Sequence, residues 1–152
     1  MTHSNRPQRL APPAPPGTLL PRLFSLARLM RAKEFNEREA VYLARLRLLP
    51  CLGGCGMDPA NEAAHVRLNS GALGKHNAML RKPADRWAVP LCSDCHRDGP
   101  AAQHGMGERL FWELKGINPL LVCVRLYAAK ADPDKMRAVV RDVLAGGKVS
   151  TG

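Results

Sequence analysis

Two stretches, Cys51-Leu-Gly-Gly-Cys55 and Asp85-Arg-Trp-Ala-Val-Pro-Leu-Cys92-Ser-Asp-Cys95-His96, decide how this chain is read. Each carries a cysteine pair, and the pairs stand about forty residues apart. A short turn can present two thiolates to one ion. Two such turns therefore suit a tetrahedral Cys₄ site on Cys51, Cys55, Cys92 and Cys95, with zinc as its natural occupant. Gly53, Gly54 and Gly56 give the first turn the tight backbone it needs. A zinc clip by itself means only a small stapled domain. The histidines around it, His65 between the pairs and His96 directly after the second, raise the question of chemistry.

Outward from these knuckles, the hydrophobic pattern predicts helices around two short strands. A helix is expected over 36–49, with Val41, Leu43, Ala44, Leu46 and Leu48 as its apolar positions and Pro50 ending it before Cys51. Residues 63–68 predict a short strand, and a polar, glycine-containing loop follows to about Asp85. A second strand is expected over 87–91, where Pro90 marks an edge or strand end. Beyond Gly99-Pro100 a helix is expected over 101–115. Asn118-Pro119 and Asp132-Pro133 each place an N-cap before a proline at the first helical position, which predicts helices to about Ala129 and Gly146.

Residues 1–24 read as a disordered, proline-rich basic tail, because Ala11-Pro-Pro-Ala-Pro-Pro-Gly17 supports neither helix nor ladder. The same tail reads equally as a basic arm that lies on DNA. The zinc-stapled domain with its flanking helices is expected over 25–130, and a C-terminal helix and tail over 131–152.

The chain has 152 residues, 45% of them hydrophobic, which suits one domain with a modest core. With 5% aromatic residues the core is expected to be mostly aliphatic and helped by a metal staple. Lys and Arg number 23 against 13 Asp and Glu, a net charge of +10, which favours a polyanionic partner such as nucleic acid. Charge alone does not separate DNA from RNA or anionic lipid, and it also suits a merely basic protein. No stretch approaches the roughly 20 apolar residues of a membrane span, and no apolar run follows the basic N-terminus as in a signal peptide. Five cysteines are an odd number, and the paired spacing of four of them points to metal binding in a reducing cytoplasm rather than a disulfide framework. Cys123, the unpaired one, reads as a buried thiol, and Trp87, Phe111 and Trp112 read as core. His3 and His76 read as solvated tail and loop residues.

Cys51-Leu-Gly-Gly-Cys55, Ala64-His65-Val66-Arg67 and Asp85 through His96, taken together, resemble the HNH, or ββα-metal (His-Me finger), endonuclease motif. More narrowly they resemble small phage-borne HNH proteins related to the RecA-dependent nuclease that enhances phage recombination. The likeness covers roughly residues 45 to 130. It implies an α+β fold with a small zinc-stapled ββα-metal core, and a metal-dependent DNA endonuclease of phage or prophage origin. Phosphodiester hydrolysis needs a base to activate water and a cation to neutralise the phosphate and the departing 3′ oxygen. The resemblance gives His65 the role of base, with Asp85 orienting it or assisting at the metal. It places a Mg or Mn ion on His96 and His104, and leaves structural zinc on the four cysteines. Arg67, Lys75, Arg81, Lys82, Arg86 and Arg97 cluster in sequence around the site as candidate phosphate-binding cations. DNA is the implied partner, with a recombinase filament as a further one.

One position departs from the pattern. The residue before the base is usually an Asp or His ligand, and here it is Ala64. Asp58, Glu62 and Glu108 are the acidic residues that can stand in, Glu108 because four residues separate it from His104 on an expected common helix face. Ala64 also favours a reading of another class, a zinc-stapled DNA-binding module accessory to recombination that does not cleave. An RNA-binding zinc-ribbon protein is the third.

Overall fold

Helix α1 (39–47) runs toward Pro50 and delivers the chain to Cys51 in this computed structural model, which describes residues 39–76 and 82–146. All of these belong to the unit Glu37–Gly152. The expected tail over 1–24, the residues from 25 to the start of α1, Arg81 and residues 147–152 lie outside the described residues. The inner face of α1 is Tyr42, Leu43 and Leu46, continued by Leu49, whereas Val41 and Leu48 are 52% and 62% exposed. The stripe is thus rotated from the expected one. Tyr42 takes a core position, since an aromatic ring at helical spacing buries more area than the valine beside it.

Strand β1 (Glu62–His65) pairs antiparallel with β2 (Ala88–Leu91), Ala64 opposite Val89 and His65 opposite Ala88. Both are shorter than expected. Trp87 closes a 3₁₀ turn, Asp85–Trp87, instead of opening the strand, although its carbonyl still accepts the Val66 N–H at 2.8 Å. Every residue of β2 is buried. Its Pro90 has no N–H to donate, but the Pro90 carbonyl accepts from Leu52 N–H at 2.9 Å. The first knuckle is thereby fixed to the free edge of β2, and the sheet carries both cysteine turns at one end.

After the second knuckle the chain makes one π-helical turn, Asp94–Asp98, with Gly99 N–H donating to the Asp94 carbonyl at 2.9 Å. The helix expected over 101–115 is two helices, α2 (Gln103–Met106) and α3 (Glu108–Lys115), because Gly107 sits at φ 91°, a conformation closed to other residues at low cost. Helices α4 (Pro119–Ala128) and α5 (Pro133–Leu144) follow the predicted bounds closely. Asn118 Oδ1 accepts from the N–H groups of Leu120 and Leu121, and Asp132 Oδ1 from those of Asp134 and Lys135. Met136, Val140 and Val143 form the buried stripe of α5, which packs on α4.

The fold is α+β. Few as they are, the aromatic residues occupy its centre, with Trp112, Tyr42 and Phe111 the largest fully buried side chains. Cys123 is fully buried, its thiol near the Ala88 carbonyl at 3.6 Å, as expected of a core cysteine. No helix of the described residues is long and apolar enough to cross a membrane.

Candidate functional site

The four cysteines converge. Their ligand atoms all lie within 4.8 Å of one another, and the Cys55 and Cys92 sulfurs are 3.5 Å apart. A tetrahedral ion with metal–sulfur bonds of about 2.3 Å requires sulfurs about 3.8 Å apart, so the group can hold a metal ion such as zinc. Backbone donors support it: Cys92 N–H reaches Cys51 Sγ at 3.2 Å, and Cys95 N–H reaches Cys92 Sγ at 3.4 Å. Gly53 lies so close that a Cβ there would stand 2.5 Å from Cys95 Sγ, so no other residue fits the turn. Lys115 Nζ closes the arrangement from α3 by donating to the Gly53 carbonyl at 2.6 Å. Burial pushes the Cys51 thiol up to about 11 and raises Cys95 as well. Burial also acts on Cys55, but the Met57 N–H and the neighbouring thiols outweigh it and lower that group. Thiols held in this way stay protonated without a cation and release their protons to solvent when a metal ion binds the thiolates.

Across the sheet, the last residue of β1 meets the turn that precedes β2. His65 Nε2 and Asp85 Oδ1 are 2.9 Å apart, with side chains 16% and 25% exposed. With Nε2–H donated to the carboxylate, Nδ1 is the nitrogen left to accept a proton. Burial lowers the His65 pKa below its ordinary value. The hydrogen bond to Asp85 opposes that shift, and the charge of Lys82, whose Nζ is 3.4 Å from the same carboxylate oxygen, adds to it. The outcome is an imidazole biased toward its neutral form and oriented by the carboxylate, as a proton acceptor requires.

A second histidine–carboxylate pair stands nearby. His96, in the π-helical turn, places Nδ1 2.7 Å from Glu62 Oε2, and Arg97 binds the other oxygen of the same carboxylate. Burial raises the Glu62 pKa, but the bonds from His96 and Arg97 outweigh it and hold the group ionised. The ring of His96 meets that of His104 edge to face, centroids 4.6 Å apart. Partial desolvation, then His96 and the guanidinium groups of Arg67 and Arg97, lower His104 and favour its neutral form. His65 and His104 line one open cleft of about 380 Å³ together with Arg67, Gln103, Gly107 and Glu108. Among the described residues, no second set of three or more His, Cys, Asp or Glu ligand atoms converges as the cysteines do.

The expected cations divide. Arg67 lines the cleft, and Arg86 lies exposed over the Trp87 ring at 5.4 Å. Arg97 and Lys82 are exposed and paired with Glu62 and Asp85. Lys75 corrects the expectation: it is 2% exposed and its ammonium donates to the Leu68 carbonyl, so it faces inward rather than toward a phosphate. Arg81 lies outside the described residues.

Of the three acidic stand-ins for Ala64, Asp58 is paired with Arg137 of α5 at 2.7 Å and does not line the cleft. Glu108 lines it, though not through the expected shared helix, since Gly107 separates α3 from the turn bearing His104. Both Glu108 oxygens accept the Arg67 N–H at 2.9 Å, one also accepts from Gln103 at 3.0 Å, and burial raises its pKa. Glu62 is the stand-in that touches an expected metal-binding histidine. Gln103, 3% exposed with Oε1 lacking a partner, is a cleft residue that sequence reasoning missed. A single glutamine with no partner at fixed spacing gives no signal. Ala64 itself is fully buried opposite Val89, so a ligand there would have to leave the core.

Comparison of the chain with protein-family models, with curated proteins and with solved structures finds no match in any of the three. The site's own geometry is what speaks for its function.

Proposed function

We propose that this chain is a metal-dependent endonuclease of the HNH, ββα-metal type that hydrolyses phosphodiester bonds in DNA. The observation that carries the proposal is the His65–Asp85 pair, 2.9 Å apart, with His65 in the wall of a cleft that also holds Arg67 and His104. In this reading Asp85 holds Nε2–H of His65, Nδ1 takes a proton from water, and the water attacks the phosphorus. Arg67 in the cleft, with Arg86 and Arg97 at the surface nearby, attracts the DNA backbone and fixes its position. His96 and His104 would hold a divalent ion, Mg²⁺ or Mn²⁺, whose chemistry is to neutralise the scissile phosphate and the departing 3′ oxygen. Zinc on Cys51, Cys55, Cys92 and Cys95 is structural. A cytoplasmic, phage-derived protein working beside a recombinase filament fits this activity.

One observation favours a second reading, a DNA-binding module that does not cleave: only the cysteines form a converged ligand set among the described residues. Nicking of supercoiled plasmid and of single-stranded circular DNA separates the two. The nuclease reading expects metal-dependent cutting that His65→Ala abolishes while DNA binding persists. Binding without cutting in both proteins overturns it in favour of the module. Preference for RNA in competition at fixed salt would overturn both.

A further inference from the structure

We infer that Glu62 is the positioning residue of the second metal site: by accepting Nδ1–H of His96, it fixes that imidazole with Nε2 as the donor to the ion. The inference deepens the nuclease reading and rests on it. The geometry is a 2.7 Å contact from Glu62 Oε2 to His96 Nδ1, made between the first residue of β1 and the π-helical turn. The other oxygen of Glu62 is bound to Arg97, so the carboxylate is held from two sides and its orientation is set by the fold. A histidine that binds a metal through one nitrogen commonly gives the other N–H to a carboxylate, which fixes the tautomer and makes the free nitrogen a better donor. Here that free nitrogen is Nε2, on a ring in edge contact with His104.

This arrangement answers the departure at position 64. Ala64 is sealed in the core and can supply no ligand, whereas Glu62, two residues earlier on the same strand, supplies a carboxylate to the site indirectly. Neither Asp58 nor Glu108 is placed to do so: one is paired with Arg137, and the other holds the Arg67 backbone and Gln103. Glu62 is not itself a ligand in this account, because both of its oxygens are engaged.

Binding of Mn²⁺ to the zinc-loaded full chain, read from the loss of the free-ion paramagnetic resonance signal, tests the inference. His96→Ala is expected to abolish binding, and Glu62→Gln to weaken it roughly 10- to 100-fold. Zinc content and melting temperature of Glu62→Gln should stay at the wild-type values, and Glu62→Asp should recover most of the affinity. Arg97→Ala should leave Mn²⁺ affinity within about twofold, since it keeps the His96 contact. Wild-type affinity in Glu62→Gln overturns the inference and leaves the nuclease reading standing. An equal loss in Arg97→Ala also overturns it, because the carboxylate would then act only as an ion-pair anchor. Mn²⁺ binding by the wild type that His96→Ala leaves unchanged overturns the metal assignment and this inference together. Nitrogen chemical shifts of the His96 ring give a readout independent of metal binding: one tautomer, protonated at Nδ1, is expected in the wild type and a mixture in Glu62→Gln of unchanged melting temperature.

Discussion

The knuckle and the cleft sit on the same small sheet, yet they are built on different principles. In the knuckle four ligand atoms converge within 4.8 Å, backbone N–H groups point at the sulfurs, and Gly53 admits no side chain. Around the cleft the imidazoles do not converge in that way. Two of them, His65 and His96, instead have one ring nitrogen committed to a carboxylate, to Asp85 and Glu62. A closed ligand set that exposes no coordination position suits a structural ion, whereas oriented but unsaturated donors leave coordination positions open. The difference teaches that orientation and convergence are separable: the knuckle gathers four ligand atoms that could hold an ion, and the two histidine–carboxylate pairs orient their rings without gathering ligands.

Several measurements can break that contrast, and the largest effect belongs to the knuckle. Cys92→Ser removes a buried ligand from a centre of a kind whose metal contributes on the order of 10 kcal/mol, so the variant should lose both its zinc and its cooperative melting transition. A folded, zinc-free Cys92→Ser protein would remove the basis of the contrast. In the cleft the effect should fall on activity alone. His65→Ala is expected to lower cleavage by roughly 10²- to 10⁴-fold with melting temperature nearly unchanged, since the side chain lies at the cleft wall. Asp85→Asn, which keeps the shape but weakens the orienting bond, should cost less, roughly 10- to 100-fold.

The pH profile sharpens the same point. A base must be unprotonated, so cleavage should rise with pH through the pKa of His65 and then level. Burial places that pKa below the ordinary histidine value of about 6.5, so the midpoint of the rise should lie below that value. An acid limb at or above 6.5, or one unchanged in Asp85→Asn, would argue against the pairing. The smallest effect lies away from both regions: Asn118→Ala removes the cap of α4 and should lower stability by about 1 kcal/mol while leaving zinc and cleavage untouched.

Much of the fold was legible because its signals are local. Asn118-Pro119 and Asp132-Pro133 set two helices through cap and φ restriction, and the cysteine spacing foretold a cluster that does converge. What the sequence concealed depends on tertiary contact. The rotation of α1 follows from Tyr42 meeting Tyr127, ring centroids 5.4 Å apart, and from Glu39 accepting the Tyr127 hydroxyl at 2.8 Å. The break at Gly107 was masked by helical periodicity on both sides. Lys75 looked like a surface cation because nothing in its neighbours announces that the Leu68 carbonyl will draw it inward. In the site, the pairing of Asp85 with His65 was a matter of family pattern, while that of Glu62 with His96 spans 34 residues and has no spacing rule to reveal it.

The most direct test of the account is plasmid nicking after a chelator has removed loosely held ions but left one zinc per chain. The account predicts that nicking stops while the zinc and the fold remain, that Mn²⁺ restores it, and that Mn²⁺ fails to restore it in His65→Ala at equal zinc content. Nicking that persists in the chelated protein, or that His65→Ala carries out as fast as the wild type, would contradict it.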